Sequence, residues 1–138
     1  MNQRATIILR IILALLGVLY FAIGMRSALY GFAGDGGETV FAGVSAELSF
    51  WLIDNHYRFY AGVFAATGII LMLSARNLAK YYSAALAVLF LTVVGGLSRL
   101  SIARPDVLSE PQVYGAIGVE VIVGLPLMYA LWRSQKAH

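Results

Sequence analysis

The stretch from Asp54 to Gly62 carries an acid, an amide, an imidazole, two phenols and an Arg at the start of a hydrophobic segment. Asp54 and Arg58 are four residues apart, so on a helix they share one face and can form an ion pair. Gly62 continues that face one turn further along. Charges within a membrane span are costly and therefore rare. We predict that this stretch forms one wall of a polar site at the outer end of a helical bundle.

The composition indicates a membrane protein without cysteine chemistry. The chain has 138 residues, of which 60% are hydrophobic and 12% charged, whereas soluble domains are about 25% charged. One domain, residues 1–138, is expected at this length. The absence of cysteine excludes disulfides, thiolate metal sites and cysteine nucleophiles. Only two histidines are present, so neither a metal site nor a cofactor is predicted.

The predicted fold class is an all-α membrane protein, a bundle of four transmembrane helices. Four hydrophobic spans, with their polar flanks, each reach the about 20 residues that cross a bilayer. They place the helices at about residues 5–30, 55–75, 81–101 and 111–133. Asp54 is expected to cap the second helix, and Ser109 to Gln112 resembles a capping box for the fourth. Pro126 is expected to kink that fourth helix.

Small residues on the first two helices predict close packing. Gly17, Gly24 and Gly31 recur at every seventh position, and such stripes let a neighbouring helix approach closely. The second span carries two small pairs, Gly62 with Ala66 and Ala61 with Ala65.

A further helix is predicted in the first outer loop, at about residues 38–53. Its apolar residues recur at three and four positions, with polar residues between, which is typical of an amphipathic helix. The segment is too short and too polar to span a bilayer. Two placements remain open, along the membrane surface or over the mouth of the bundle as a lid.

The basic residues predict the orientation in the membrane. The side that holds both predicted termini carries six bases and no acid, namely Arg4, Arg10, Arg76, Lys80, Arg133 and Lys136. The opposite half carries all seven acids. Both termini are therefore predicted to be cytoplasmic, with the long loop outside.

Each predicted helix contributes one charged side chain to the outer half, in order Arg26, Arg58, Arg99 and Glu120. At 1.5 Å per residue, Arg58 and Arg99 lie about 27 Å from the inner basic residues, and Glu120 about 20 Å. We expect Arg58, Arg99 and Glu120 to share one cavity, in which Glu120 pairs with at least one arginine.

These charged groups and their neighbours define a predicted ligand-binding site, made of Arg58, Arg99, Glu120, Arg26, Asn55, His56 and Tyr57. Three cations against one anion favour an anionic or strongly polar head, because the arginine fork matches carboxylate and phosphate groups. Gly95 and Gly96 would leave room for a tail. Two structural alternatives remain open: an internal salt bridge that fixes packing, or arginines that extend to the headgroups.

Three motifs carry a resemblance to a known family: Asp-Asn-His-Tyr-Arg-Phe-Tyr-Ala-Gly at 54–62, Gly-Gly-Leu-Ser-Arg-Leu at 95–100, and Glu120 in the last helix. Over nearly its whole length the chain resembles a bacterial family of small four-helix inner-membrane proteins of unknown function, broadly similar to the DoxX-like group. The resemblance implies one polar centre, made of Asn55, Arg58, Arg99 and Glu120. Some DoxX-like proteins are associated with quinone-linked oxidoreductases.

Three functions remain open. The first is a binding protein that holds a lipid-like or quinone-like amphiphile in its outward mouth. The second is a small accessory subunit, whose glycine stripes dock a larger membrane complex or further copies of the chain. The third, less favoured, is an enzyme that uses Glu120 and His56 as acid and base. The expected partners are thus membrane lipid, a lipid-like ligand or other membrane proteins, and not nucleic acid.

Overall fold

The computed structural model describes residues 3–34, 48–101 and 105–135 of the chain. Within these ranges it is helical, without a strand, which confirms the predicted helical class. The elements, in chain order, are α1 (Gln3–Phe32), α2 (Leu48–Arg76), α3 (Leu78–Ser98), a 3-10 turn (Arg99–Ser101), α4 (Pro105–Leu108), α5 (Pro111–Ile117), a π-helical segment (Gly118–Val123) and α6 (Gly124–Gln135).

Four stretches of helix are long and apolar enough, by length and composition, to cross a membrane: Gln3–Phe32, Phe50–Arg76, Leu78–Ser101 and Val113–Ser134. Each carries large apolar side chains on its surface. Leu15, Phe59, Leu91 and Ile122 are between 62% and 73% exposed. Apolar surface of this kind on every span is suited to lipid, because lipid tails are as apolar as these side chains. A multi-pass membrane protein is therefore indicated.

The second span begins earlier than the sequence predicts. Helix α2 starts at Leu48 rather than near residue 55, so Asp54 lies inside the helix and is not its N-cap. The physical reason is Phe50, which is 1% exposed and lies with its ring centre 6.3 Å from that of Phe32. Residues 48–53 of the predicted loop helix therefore belong to α2, and residues 38–47 lie outside the described part of the chain.

The helix of the fourth span begins one residue later than a Ser109 N-cap would place it, and the capping box of Ser109 with Gln112 stays a prediction. The N-cap of α5 is Glu110, and it makes no side-chain capping hydrogen bond. Further along, the helix has the π-helical segment Gly118–Val123, and at its end the Gly124 amide donates to the carbonyl of Val121. A π-turn is one of the ways in which a helix departs from the regular i to i−4 pattern. The π-helical segment ends before Pro126, and the proline kink stays a prediction.

The described chain divides into two compact units, Leu13–Met72 and Met1–Ile12 with Leu73–His138. In the first unit, the glycine stripe packs closely against α2, as predicted. A Cβ at Gly24 would lie 2.5 Å from the Ala65 amide nitrogen and 2.7 Å from the Ala61 carbonyl oxygen. Ala61 and Ala65 are buried, whereas the predicted Gly62 and Ala66 pair is exposed. No described atom lies within 4 Å of the Cβ position of Gly62, so the Gly62 and Ala66 pair is not part of the contact between α1 and α2, and its role as a packing face stays a prediction.

In the second unit, α3 packs against α6 through buried aliphatic residues, namely Ala85, Val88, Leu89, Val93, Leu127 and Leu131. Arg10 belongs to the same unit and binds the C-terminal end of α2. Its Nε donates to the carbonyl of Ala75 at 2.5 Å, and its Nη2 to that of Arg76 at 2.6 Å. The last carbonyls of a helix have no partner within the helix. Arg10 supplies donors to two of them, which explains an arginine inside the first hydrophobic run.

Candidate functional site

The C-terminal end of α1, in the first unit, is closed by a carboxylate from α2. Gly31 has a φ of 70°, which turns the chain out of the helical path. The next amide, that of Phe32, donates to Oδ1 of Asp54 at 2.6 Å. Asp54 is buried. Glycine adopts positive φ without the steric cost that a Cβ brings, so Gly31 makes this turn and Asp54 binds the amide that the turn exposes.

Arg58 binds the same helix end from the next turn of α2. Its Nε donates to Oδ2 of Asp54 at 2.6 Å. Its Nη1 donates to the carbonyls of Leu29, at 2.8 Å, and Ala28, at 3.2 Å. A cation at the C-terminal end of a helix is favourable because unpaired carbonyls concentrate negative charge there. We call Asp54 and Arg58 together the α1 clasp, and its contacts are those of a structural cap.

Tyr57 also reaches the end of α1. Its ring lies edge-on to that of Phe32, with 5.5 Å between the centroids, and its hydroxyl is 3.5 Å from Oγ of Ser27. The side chain is half-buried. Tyr57 is therefore part of the contact between the two helices.

The remaining predicted ligands of this unit are exposed. Nδ1 of His56 lies 2.8 Å from the carbonyl of Leu52, one turn back on α2. Nη2 of Arg26 donates to the carbonyl of Gly34 at 3.3 Å. Asn55 is exposed. The contacts given for His56 and Arg26 are with carbonyls close in sequence. The role of all three residues as ligands stays a prediction.

The second charged centre lies in the second unit, where Arg99 meets Glu120. Nε of Arg99 donates to Oε2 of Glu120 and Nη2 to Oε1, both at 2.8 Å. The predicted pairing of Glu120 with an arginine is thus present as a two-pronged ion pair. The carboxylate side chain is 12% exposed and the guanidinium side chain 45%. Both carboxylate oxygens are occupied, while the arginine keeps an accessible side.

A glycine allows this ion pair to form. A Cβ at Gly96 would lie 2.7 Å from Cβ of Glu120 and 2.8 Å from Cγ2 of Val121. Gly96 therefore lets the π-helical segment approach α3 closely, and its space is not free for a tail, contrary to our expectation. Gly95 is different, since no atom of the described residues lies within 4 Å of its Cβ position.

The clasp changes the charge balance that the sequence predicted. Three arginines were counted against Glu120 alone, and the pairing of Asp54 with Arg58 that their spacing predicts was left out of that count. In the structure Asp54 pairs with Arg58, and Glu120 pairs with Arg99. The predicted surplus of positive charge is therefore largely removed. A cavity shared by Arg58, Arg99 and Glu120 would join the two units, and it stays a prediction.

One feature that the sequence did not indicate is an apolar groove on the surface of α3 and α6. Its volume is about 770 Å³, and it extends from Ser83 to Phe90 on α3 and from Leu125 to Trp132 on α6. The guanidinium of Arg133 lies 6.0 Å from the ring centre of Tyr129, which lines the groove. Hydropathy alone gives no signal for such a groove, since all lipid-facing positions are apolar. The aromatic pair Tyr129 and Trp132 is the available hint.

Helices of this length and composition, with two ion pairs inside the candidate spans, define the class of a multi-pass helical membrane protein. Within that class the chain belongs to the family described as "Domain of unknown function (DUF4345)", whose model matches residues 8–132. The matched range includes the α1 clasp, the Arg99–Glu120 pair and the groove. No curated protein and no solved structure matches the chain.

Proposed function

We propose that this protein binds a polar-headed, lipid-like or quinone-like amphiphile at the Arg99–Glu120 pair. The observation that carries the proposal is the unequal exposure of the pair, with a largely buried carboxylate and a guanidinium that is 45% exposed. Ionisable groups within spans are costly and by default mark functional sites. The π-helical segment that carries Glu120 adds support, because such insertions are frequent at functional sites.

The chemistry of Arg99 defines the head that it suits. Glu120 accepts from Nε and Nη2, while Nη1 has no acceptor among the described residues. The carboxylate therefore holds the guanidinium in one orientation and neutralises its charge, and Nη1 donates to the ligand. A neutralised arginine favours an uncharged or zwitterionic head with a strong acceptor, such as a quinone carbonyl. The resemblance to DoxX-like proteins, some of which are associated with quinone-linked enzymes, points in the same direction.

The tail of the amphiphile has an open path along α3. Gly95 is one helical turn before Arg99 and lies on the same face. Its surface is exposed, and within the described part of the chain nothing lies within 4 Å of its Cβ position. A tail that leaves the head at Arg99 would first pass over Gly95 and then along the exposed side chain of Leu91.

Binding can be measured with a benzoquinone that carries a decyl chain, with dodecylphosphocholine as a zwitterionic probe. We expect the purified protein to bind the quinone. The double variant Arg99→Gln/Glu120→Gln should bind it at least about tenfold more weakly, because it loses one hydrogen bond from a charged group. The double variant leaves no unpaired charge in the span, so its fold should be kept. Arg4→Gln, an exposed arginine elsewhere, is the matched control. Equal affinity of all three proteins would contradict the proposal.

The proposed setting is a bacterial inner membrane, with both termini in the cytoplasm. The support is the distribution of six bases and no acid on the side of the termini. A membrane-impermeant thiol reagent applied from outside should modify a cysteine placed at Gly36 and spare one placed at Asn77. The opposite labelling pattern would reverse the topology. The native chain has no cysteine, so each variant reports on a single position.

A further inference from the structure

The groove on α3 and α6 ends at a basic and aromatic patch. Tyr129 and Trp132 line it, with 5.9 Å between their ring centroids, and Arg133 lies over the Tyr129 ring. Lys80 precedes Ser83, at the same end of the groove on α3, by about one turn. Tyrosine and tryptophan favour the level of the headgroups in a membrane. The patch therefore marks the end of the groove that faces the membrane surface.

Charge at this end is of one sign. No aspartate or glutamate occurs from Leu73 to Ser101, or from Gly124 to Gln135. Arg133 has no carboxylate partner among the described residues, in contrast to Arg58 and Arg99. An unneutralised guanidinium at the headgroup level attracts a phosphate, and basic pockets between membrane helices bind anionic lipid heads.

The dimensions suit one acyl chain. Ser83 to Phe90, and likewise Leu125 to Trp132, extend about 11 Å along their helices at 1.5 Å per residue. This length lies within one leaflet of the bilayer, about 15 Å, half of the hydrocarbon core. Leu86, Phe90, Leu125 and Met128 give the groove an apolar wall. We infer that the groove holds an acyl chain of an anionic phospholipid, whose phosphate is bound by Arg133.

This lipid site is distinct from the proposed amphiphile site. Phe90 and Arg99 are nine residues apart, about two and a half helical turns, so they lie on opposite sides of α3. The ion pair closes against Gly96, whereas the groove is bounded by Leu86, Ala87 and Phe90. A substitution that abolishes binding at one site should therefore not change binding at the other.

Tryptophan fluorescence can test the lipid site directly. The chain has two tryptophans, Trp51 and Trp132, so Trp51→Phe leaves a single reporter in the groove. This variant is placed in phosphatidylcholine nanodiscs that contain either phosphatidylglycerol or phosphatidylcholine with brominated acyl chains. We expect brominated phosphatidylglycerol to quench Trp132 more strongly. The occupancy of the groove by phosphatidylglycerol should be about fivefold higher than that by phosphatidylcholine. One basic residue near an anionic surface contributes about 1 kcal/mol, which corresponds to this factor.

Two further variants, Arg133→Gln and Ala87→Phe, and two controls separate groove binding from general attraction to an anionic surface. Arg133→Gln should abolish the preference for phosphatidylglycerol. Ala87→Phe, which fills the groove, should reduce quenching by both lipids, whereas Ala66→Phe, at an exposed position on α2, should not. A reporter at Trp51, in a Trp132→Phe variant, should show no preference.

Equal quenching of Trp132 by the two lipids would overturn the inference, as would an unchanged preference in Arg133→Gln. Weak quenching by both lipids would also overturn it. That result would show a groove covered by a helix of a second copy or of another protein. Loss of quinone binding in the Arg99→Gln/Glu120→Gln variant should leave all of these values unchanged.

Discussion

Gly31→Ala is expected to destabilise the protein by about 2–4 kcal/mol, from backbone strain at positive φ and from overpacking. The φ of 70° at Gly31 is unfavourable for a residue with a Cβ. The Cβ would also collide with the Asp54 carboxylate and the Arg58 guanidinium. Both groups would have to move, and the clasp on the end of α1 would open. Thermal unfolding in detergent, followed by circular dichroism, measures the effect.

Gly62→Ala is the matched control for this substitution. Gly62 lies inside α2, and none of the described atoms lies within 4 Å of its Cβ position. Alanine in a helix interior is more stable than glycine by roughly 0.5–1 kcal/mol. The control should therefore unfold at the same temperature or higher. If both variants unfold at the same temperature, glycine is not required at position 31, and the α1 clasp does not depend on it.

Glu120→Gln is expected to lower stability and to change which head the protein binds. The substitution leaves the charge of Arg99 in the span without its carboxylate. Removal of one partner from a fully buried pair costs about 3–5 kcal/mol. Here the loss should be smaller, about 1–3 kcal/mol, because the arginine side chain is 45% exposed. The freed guanidinium should bind dodecyl phosphate at least about tenfold more tightly than the wild type does, the gain from a hydrogen bond between charged groups.

Glu110→Gln is the control for this change of charge. Glu110 is the exposed N-cap of α5 and makes no side-chain capping bond, so its loss should alter neither stability nor head preference. If Glu120→Gln and the wild type bind dodecyl phosphate with the same affinity, the carboxylate does not determine which head group the protein binds. The ion pair would then serve packing alone.

The spans and the close approach of α1 to α2 were predictable from the sequence, because both follow from short patterns. Hydropathy over about 20 residues marks a span, and the spacing of Gly17, Gly24 and Gly31 marks a stripe where another helix can approach. The pairing of Glu120 with an arginine was predictable in kind, since a carboxylate in a span needs a partner. Its choice of Arg99 depends on the close approach at Gly96, which spacing alone does not specify.

The pairing of Asp54 with Arg58 follows from their spacing, but the binding of Asp54 to the end of α1 was missed, because an aspartate before an apolar run is also a good helix cap. The decisive interaction is distant in sequence: Phe50 packs against Phe32, and this contact extends α2 back to Leu48. Once Asp54 lies within the helix, its carboxylate faces the turn at Gly31. The role of Arg10 was also not predicted, because its acceptors, the carbonyls of Ala75 and Arg76, are distant in sequence. Two arginines in the spans, Arg10 and Arg58, thus act here as caps, although only Arg58 was predicted as a ligand.

Photo-crosslinking tests the proposed amphiphile site most directly. The probe is the decyl benzoquinone with a photoreactive diazirine on the first carbon of its chain, and the adducts are mapped by mass spectrometry of the purified protein. We expect adducts concentrated between Gly95 and Arg99, displaced by unlabelled quinone and lost in Arg99→Gln/Glu120→Gln. Adducts spread evenly over the exposed faces of all the spans, or unchanged in the double variant, would contradict it.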